Sequence, residues 1–246
     1  MIPALAIVFG LIMGSFLSML IPRLHNEEKG IIAGRSHCPN CKKTLSALEL
    51  IPVLSFILQA GKCRKCKKQI SWWYPLIELS TALTFFWMSI TFQSALDVAL
   101  WSILMWVLLY IFFYDLRYKE VHDIIMFPAL ILAFAFSFVL GDPLDSIIGT
   151  AVGLSFFGIQ FLASKGRWLG SGDLLIGTYM GLLLGWQNTL VALFLSYILG
   201  SSVGIYLLAS KKADRNTALP LGPFLVVGSM IAFVYGELLI KLFLGL

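Results

Sequence analysis

Long apolar runs separated by short polar gaps constrain this chain more than any other feature. They lie near residues 2–22, 76–94, 96–114, 124–140, 144–164, 174–186, 188–209 and 221–245. A helix that crosses a bilayer needs about 20 mostly apolar residues, and most of these runs meet that length. The sixth is short, which predicts a tilted segment or one that sits partly in a protein-lined cavity or beneath a re-entrant loop. Charged residues make up 13% of the 246 and apolar ones 59%, against roughly 25% charged in soluble domains. The mean hydropathy of +0.89 agrees. A soluble protein of this length could not bury so much apolar surface. The expected fold is an all-α polytopic membrane protein with about eight transmembrane helices. The first run lacks a basic leader segment and reads as a retained first helix, not a cleaved signal.

Charge placement predicts the topology. The region 23–75 holds ten Lys or Arg. The gap 115–123 adds Arg117 and Lys119, the gap 165–173 adds Lys165 and Arg167, and the gap 210–220 adds Lys211, Lys212 and Arg215. These are alternate gaps, so they fall on one side, and of the 18 basic residues only Lys241 falls on the other. Basic residues collect on the cytoplasmic face. The expectation is a multi-pass protein of a cytoplasmic membrane, with its N-terminus outside and residues 23–75 in the cytoplasm. A pI near 9.0 is then explained by Lys and Arg beside anionic lipid, and no nucleic-acid partner is expected. The chain divides into a first helix (1–22), a cytoplasmic module (23–75) and a helical bundle (76–246). No internal repeat is evident.

The module carries all four cysteines as two CxxC pairs, Cys38-Pro39-Asn40-Cys41 and Cys63-Arg64-Lys65-Cys66, with 21 residues between them. Two such pairs can complete a tetrahedral thiolate site, which suits zinc. With all four ligands from protein, the zinc would be structural. Two disulfides or a redox pair are the alternatives. A cytoplasmic location disfavours the disulfides. His25 and His37 read as ordinary loop histidines. Leu48 to Leu58 is an apolar run too short to span, interrupted by Pro52. It either lies on the membrane or packs on the module. Pro75 fits the first turn of the next helix.

Two carboxylates stand at helix boundaries. Asp115 ends the third run, and Asp173 opens the sixth after Gly170-Ser171-Gly172. The topology puts both at the cytoplasmic boundary, where they can share one depth. Gly170 and Gly172 leave room for a facing helix or an extended substrate backbone. Two close carboxyls cannot both ionise easily, so one keeps a proton. The charged one can then activate water while the other donates to a carbonyl oxygen. The competing account is structural: Asp173 as a helix cap and Asp115 paired with Arg117 or solvated. Asp123, in the loop after Asp115, is a further candidate that shapes the site or caps the fourth span.

These residues resemble the type IV prepilin peptidases, which are GxGD membrane aspartic proteases of pilus, type II secretion and competence systems. Gly14-Ser15-Phe16-Leu17 is similar to the family's opening motif. The stretches around Cys38–Cys41 and Cys63–Cys66 resemble its tetracysteine module, with Glu49-Leu50-Ile51-Pro52 and Tyr74-Pro75-Leu76-Ile77-Glu78-Leu79 around it. Tyr114-Asp115 and Gly170-Ser171-Gly172-Asp173 resemble the two catalytic motifs, and Pro220-Leu221-Gly222-Pro223-Phe224 the motif at the last span. The chain differs in having Ser18 where Asn is usual, and Val121-His122-Asp123 where Leu-Pro-Asp is usual. The resemblance implies cleavage of the basic leader from prepilins or pseudopilins at the cytoplasmic face of a bacterial inner membrane, with Asp115 and Asp173 catalytic. It also implies methylation of the new N-terminus from S-adenosylmethionine. No Gly-rich loop marks a site for that donor, and Gly61 is the candidate for close approach. Membrane lipid is the other expected partner. Two rival readings remain at this stage: a GxGD protease for another membrane substrate, and a non-enzymatic membrane protein that uses the aspartates as an ion or proton site.

Overall fold

Inside a bilayer every backbone polar group must be satisfied within its own segment, so apolar runs this long become helices. The structure, a computed structural model, describes residues 2–28, 34–212, 214, 217 and 219–244. Lys29 and Arg215, counted above among the basic residues, lie outside them. The described helices are α1 (Ile2–His25), a 3₁₀ turn (Ala47–Leu50), α2 (Leu54–Leu58), α3 (Trp73–Thr91), α4 (Ala95–Tyr118), α5 (Asp123–Leu140), α6 (Pro143–Ser164), α7 (Ser171–Ala209) and α8 (Gly222–Leu244). Six of them are long and apolar enough to cross a membrane. Among the described residues there is no strand, only two isolated β-bridges.

Residues 1–106 form one compact unit and residues 107–246 a second, with the boundary inside α4. In the first unit α1 packs antiparallel on α3. A Cβ at Gly10 would sit 2.7 Å from the Ala82 Cα, and one at Gly14 would sit 2.6 Å from the Glu78 Cα. Small residues four apart let two apolar helices touch backbone to backbone, which supplies packing where no hydrophobic drive exists between them. The Trp106 Nε1–H donates to the Met13 carbonyl at 3.1 Å. Pro75 lies in the first turn of α3, as its missing N–H allows.

In the second unit the sixth and seventh runs are merged into the 39 residues of α7, but Gly185 breaks the helix with φ 72°, ψ 175°. The chain reverses there. Gly149 and Gly153 of α6 meet Gly181 and Gly177, so α6 is antiparallel to residues 171–184. Farther along, the Phe156 and Tyr197 rings are 5.5 Å apart, so α6 is parallel to residues 186–209. The Asp145 carboxylate occupies the space where a Gly185 Cβ would stand and accepts the Trp186 N–H at 3.4 Å. It thereby caps the second half of α7. That half runs antiparallel to α8, with Gly200 facing Phe224 and Asn188 facing Gly236. The short sixth run is thus one arm of a hairpin with a one-residue corner.

The run from Leu48 to Leu58 divides at Pro52 into the 3₁₀ turn and α2, and no residue of α2 is buried. The two CxxC segments do repeat one another, contrary to the sequence reading. His37 bridges Thr44 and Lys62 bridges Gln69, so 37–44 and 62–69 are equivalent eight-residue knuckles. Both read Cys-x-x-Cys-Lys-Lys, and both turn through a lysine at positive φ, Lys42 (55°) and Lys67 (60°). The repeat is too short to register as a domain-scale period, yet Cys-x-x-Cys-Lys-Lys was its signal.

Candidate active site and metal centre

The knuckles aim four thiols at one point. In each, the first cysteine donates its N–H to a lysine carbonyl and accepts one back (Cys38 with Lys43 and Lys42; Cys63 with Lys68 and Lys67), all at 2.9 Å. The turn closes on itself and leaves both sulfurs on its inner side. Cys38 and Cys66 are 3.9 Å apart, sulfur to sulfur, and Cys41 and Cys63 are 4.0 Å apart. All four sulfurs lie within 4.8 Å of one another. Zn–S bonds of about 2.3 Å at tetrahedral angles put sulfurs about 3.8 Å apart. A disulfide needs about 2.05 Å, and the four thiols are free. The four sulfurs are close enough to hold one metal ion, and among the described residues the group contains neither His25 nor His37. The Lys68 backbone N–H, then the Asn40 side chain, draw the Cys66 thiol down to about 6, and the Cys41 backbone N–H lowers Cys38. At Cys41 the Lys43 N–H pulls down, but burial and the other thiols outweigh it and push the group up to about 11. A divalent cation bound there would take all four as thiolates.

Gly61 sits between α2 and the second knuckle at φ 66°, with its would-be Cβ 3.2 Å from the Phe56 ring. Its carbonyl accepts the Ile70 N–H at 2.7 Å. Both features account for a glycine as a turn residue.

Asp115 and Asp173 belong to the second unit. Asp115 is 7% exposed, near the end of α4. Its Oδ2 accepts the Gly222 N–H at 2.8 Å. Gly222 is the first residue of α8, so the carboxylate caps the N-terminus of that helix, where backbone N–H groups and the dipole favour an anion. A Cβ at Gly222 would lie 2.7 Å from the same oxygen. Only glycine permits the bond at this distance. Gly222 stands in the motif at the last span, but its role was not assigned from sequence. Nothing in residues 220–224 says which acid they will meet.

Asp173 is the third residue of α7. Its Oδ2 accepts the Gly170 N–H at 3.1 Å, and its own N–H returns to the Gly170 carbonyl at 3.2 Å. The two glycines of the motif do different things. A Cβ at Gly172 would come within 2.8 Å of Val121 Cβ and Cγ2, whereas one at Gly170 would meet only the Gly172 nitrogen, at 3.9 Å. Gly172 therefore lets the loop after Asp115 press on the start of α7, and Gly170 leaves open space. The Val121 contact joins the loop that follows Asp115 to the first turn of α7, which carries Asp173.

On the helix that carries Asp115 the rings of Tyr110, Tyr114 and Tyr118 follow one another one turn apart, tilted, with centroids at 5.3 Å and 5.2 Å. The His122 ring meets Tyr114 edge-on at 6.3 Å. Tyr110 and Tyr114 are fully buried and form a wall on one side of the carboxylate's helix. Asp123 is exposed in the first turn of α5, a favourable place for an acid. Among the described residues no hydrogen bond joins it to Asp115 or Asp173.

Two family profiles match the chain. The bacterial peptidase A24 N-terminal domain covers residues 8–92, which include the four cysteines. The type IV leader peptidase family covers residues 102–205, which include both aspartates. Among curated proteins, a prepilin leader peptidase/N-methyltransferase of Bacillus subtilis is 32% identical over 96% of each chain. One of Aeromonas salmonicida is 30% identical over 98% of this chain and 94% of its own. One of Pseudomonas aeruginosa is 28% identical over 97% and 92%. No solved structure matches.

Proposed function

For a chain that belongs to the type IV leader peptidase family, we propose that Asp115 and Asp173 cut the leader peptide from prepilin-like proteins. The observation that carries this is the pairing itself. Two carboxylates 58 positions apart in sequence are each held by one backbone N–H, and the loop after Asp115 packs through Val121 on Gly172, beside Asp173. A single proton shared between them leaves one carboxylate to take a proton from water and one carboxylic acid to donate to the scissile carbonyl oxygen. The attacking hydroxyl then forms a tetrahedral carbon, and proton return to the leaving nitrogen releases the leader. The Gly222 and Gly170 N–H groups fix the two side chains so that little reorganisation is needed. Open space at Gly170 suits an extended substrate backbone beside Asp173.

The charge asymmetry supports an inner-membrane orientation with the N-terminus outside and the cysteine module in the cytoplasm. Zinc is the metal best matched to four thiolates at these separations, and it would hold the two knuckles together without an open position for chemistry. The relatives' second activity extends the proposal to methylation of the new amine, for which S-adenosylmethionine would supply the methyl group. No residue of this chain is assigned to that donor.

The test is incubation of the reconstituted protein with a pilin precursor, followed by mass spectrometry of the new N-terminus. Leader loss plus a methyl increment that depends on the donor is the expected result. An intact precursor with wild-type protein, under conditions where a relative cleaves it, would overturn the assignment.

A further inference from the structure

The apolar edge of the cysteine module is exposed among the described residues. Leu48 is 66% exposed, Leu54 48%, Ile57 65%, Leu58 68% and Trp72 76%. Phe56 joins α2 to Trp72, ring to ring at 4.7 Å, so the 3₁₀ turn, α2 and the entry to α3 form one surface. Scattered exposed leucines need no explanation, but a continuous edge of them does.

The position of this edge along the helices is fixed. The Val53 N–H, at the start of α2, donates to Glu78 Oε2 at 2.7 Å. Glu78 lies in the second turn of α3 and backs onto Gly14 of α1. The bond is held against cost, since Val53 is a β-branched residue at φ 61°. Through it α2 is tied to the level at which α1, a span by length and composition, is still helical. Charge completes the picture. Residues 23–75 hold ten Lys or Arg against three Glu, and Lys42, Lys62, Arg64, Lys65, Lys67 and Lys68 are exposed.

We propose that this edge lies in the surface of an anionic leaflet, with Leu48, Leu54, Ile57, Leu58 and Trp72 in the acyl boundary and the knuckle lysines among the headgroups. An in-plane apolar face flanked by Lys and Arg binds membranes through buried area and attraction to anionic lipid together, and tryptophan is favoured at that depth. The metal site would then be carried flat on the membrane and not held out in the cytoplasm. This does not depend on whether the chain cuts prepilins.

The test uses the full chain in nanodiscs of phosphatidylcholine, with and without phosphatidylglycerol, and a photo-reactive benzoyl-phenylalanine at Leu58, or at Gln69 on a knuckle as the control. Mass spectrometry should find lipid adducts at position 58, several-fold more than at 69, and more with phosphatidylglycerol present. A Leu54-labelled chain carrying Ile57→Glu and Leu58→Glu should lose most of its lipid adduct while keeping its metal content, which reports an intact module. Cross-links chiefly to an added prepilin, or to a second copy of the chain, would overturn the proposal. So would a lipid yield at 58 no higher than at 69.

Discussion

The cysteine cluster and the aspartate pair are assembled in opposite ways. Each pair of thiols comes from one eight-residue knuckle whose own backbone hydrogen bonds set the sulfur positions. The aspartates sit on two helices, and each is fixed by a glycine N–H, one local (Gly170) and one 107 residues away (Gly222). A local turn can be specified by a short motif. A pair assembled across a bundle depends on every interface between its members. The cysteine cluster should therefore respond to changes in its own few residues, and the aspartate pair to changes in packing as well.

The largest effect is expected from the acids. Asp115→Asn and Asp173→Asn keep size and leave an acceptor for the Gly222 or Gly170 N–H. Each should lower cleavage of a pilin precursor by about 10³-fold or more, in line with removal of a general acid–base group. Metal content should stay at about one zinc per chain, as a four-thiolate site binds a single ion. Cleavage within a few-fold of wild type for either variant would break the comparison, because the pair would then be a structural cap. Next come the thiols. Cys63→Ser should strip the metal and unfold the knuckles, since binding and folding are one equilibrium in such modules. It should cost less cleavage than either Asp variant. Elemental analysis and a cleavage assay on the same preparation would read both.

A smaller effect separates packing from chemistry. Gly172→Ala puts a methyl group 2.8 Å from Val121. Overpacking costs about 1–3 kcal/mol, and displacement of a catalytic group by a fraction of an ångström lowers rates steeply. A loss of ~10- to 100-fold in cleavage is expected. Val121→Gly in the same chain removes both nearby atoms and should recover much of that loss. Recovery would show that the motif glycine serves the fit between the α4–α5 loop and α7. No recovery would return it to the role of admitting substrate backbone.

The same contrast explains what could be read from the sequence. The helical runs, the grouping of the four cysteines and the boundary positions of the two acids were visible because each is a local pattern: a length, a spacing, a charge at the end of an apolar run. The sixth and seventh runs were visible as separate segments, although Gly185 compresses the turn between them to one residue. Three things were not visible. The partner of Gly172 is Val121, the donor to Asp115 is Gly222, and the cap at Trp186 is Asp145; each lies on another helix or loop. A sequence gives a glycine's freedom but not the atom that will occupy its missing Cβ. The knuckle repeat was legible and overlooked, because eight residues fall below the period at which repeats are usually sought.

The smallest effect belongs to the Lys43–Glu49 ion pair of the module. Glu49 accepts from Lys43 Nζ at 2.8 and 3.0 Å and from the Ser46 N–H at 3.0 Å. Lys43, first, and then the Ser46 N–H hold its carboxyl down at about 2, against an ordinary 4.5. A carboxylate whose folded value is depressed adds stability above its unfolded value and loses it as pH falls through the folded one. The contribution should thus be complete above about pH 4.5 and fade toward pH 2. The Lys43 side chain is 32% exposed, so the pair is screened and worth on the order of 1 kcal/mol. Glu49→Gln keeps an acceptor for the Ser46 amide and removes the charge. Hydrogen-exchange protection of that amide should fall by roughly 5-fold at neutral pH, the equivalent of that energy. The gap between the two proteins should close as the pH drops from about 4.5 to about 2. Thiol protonation destabilises both proteins over this range, so their difference isolates the carboxylate. A gap that did not change with pH would mean that Glu49 acts through shape alone, and the module would then owe its order to the knuckles and their metal.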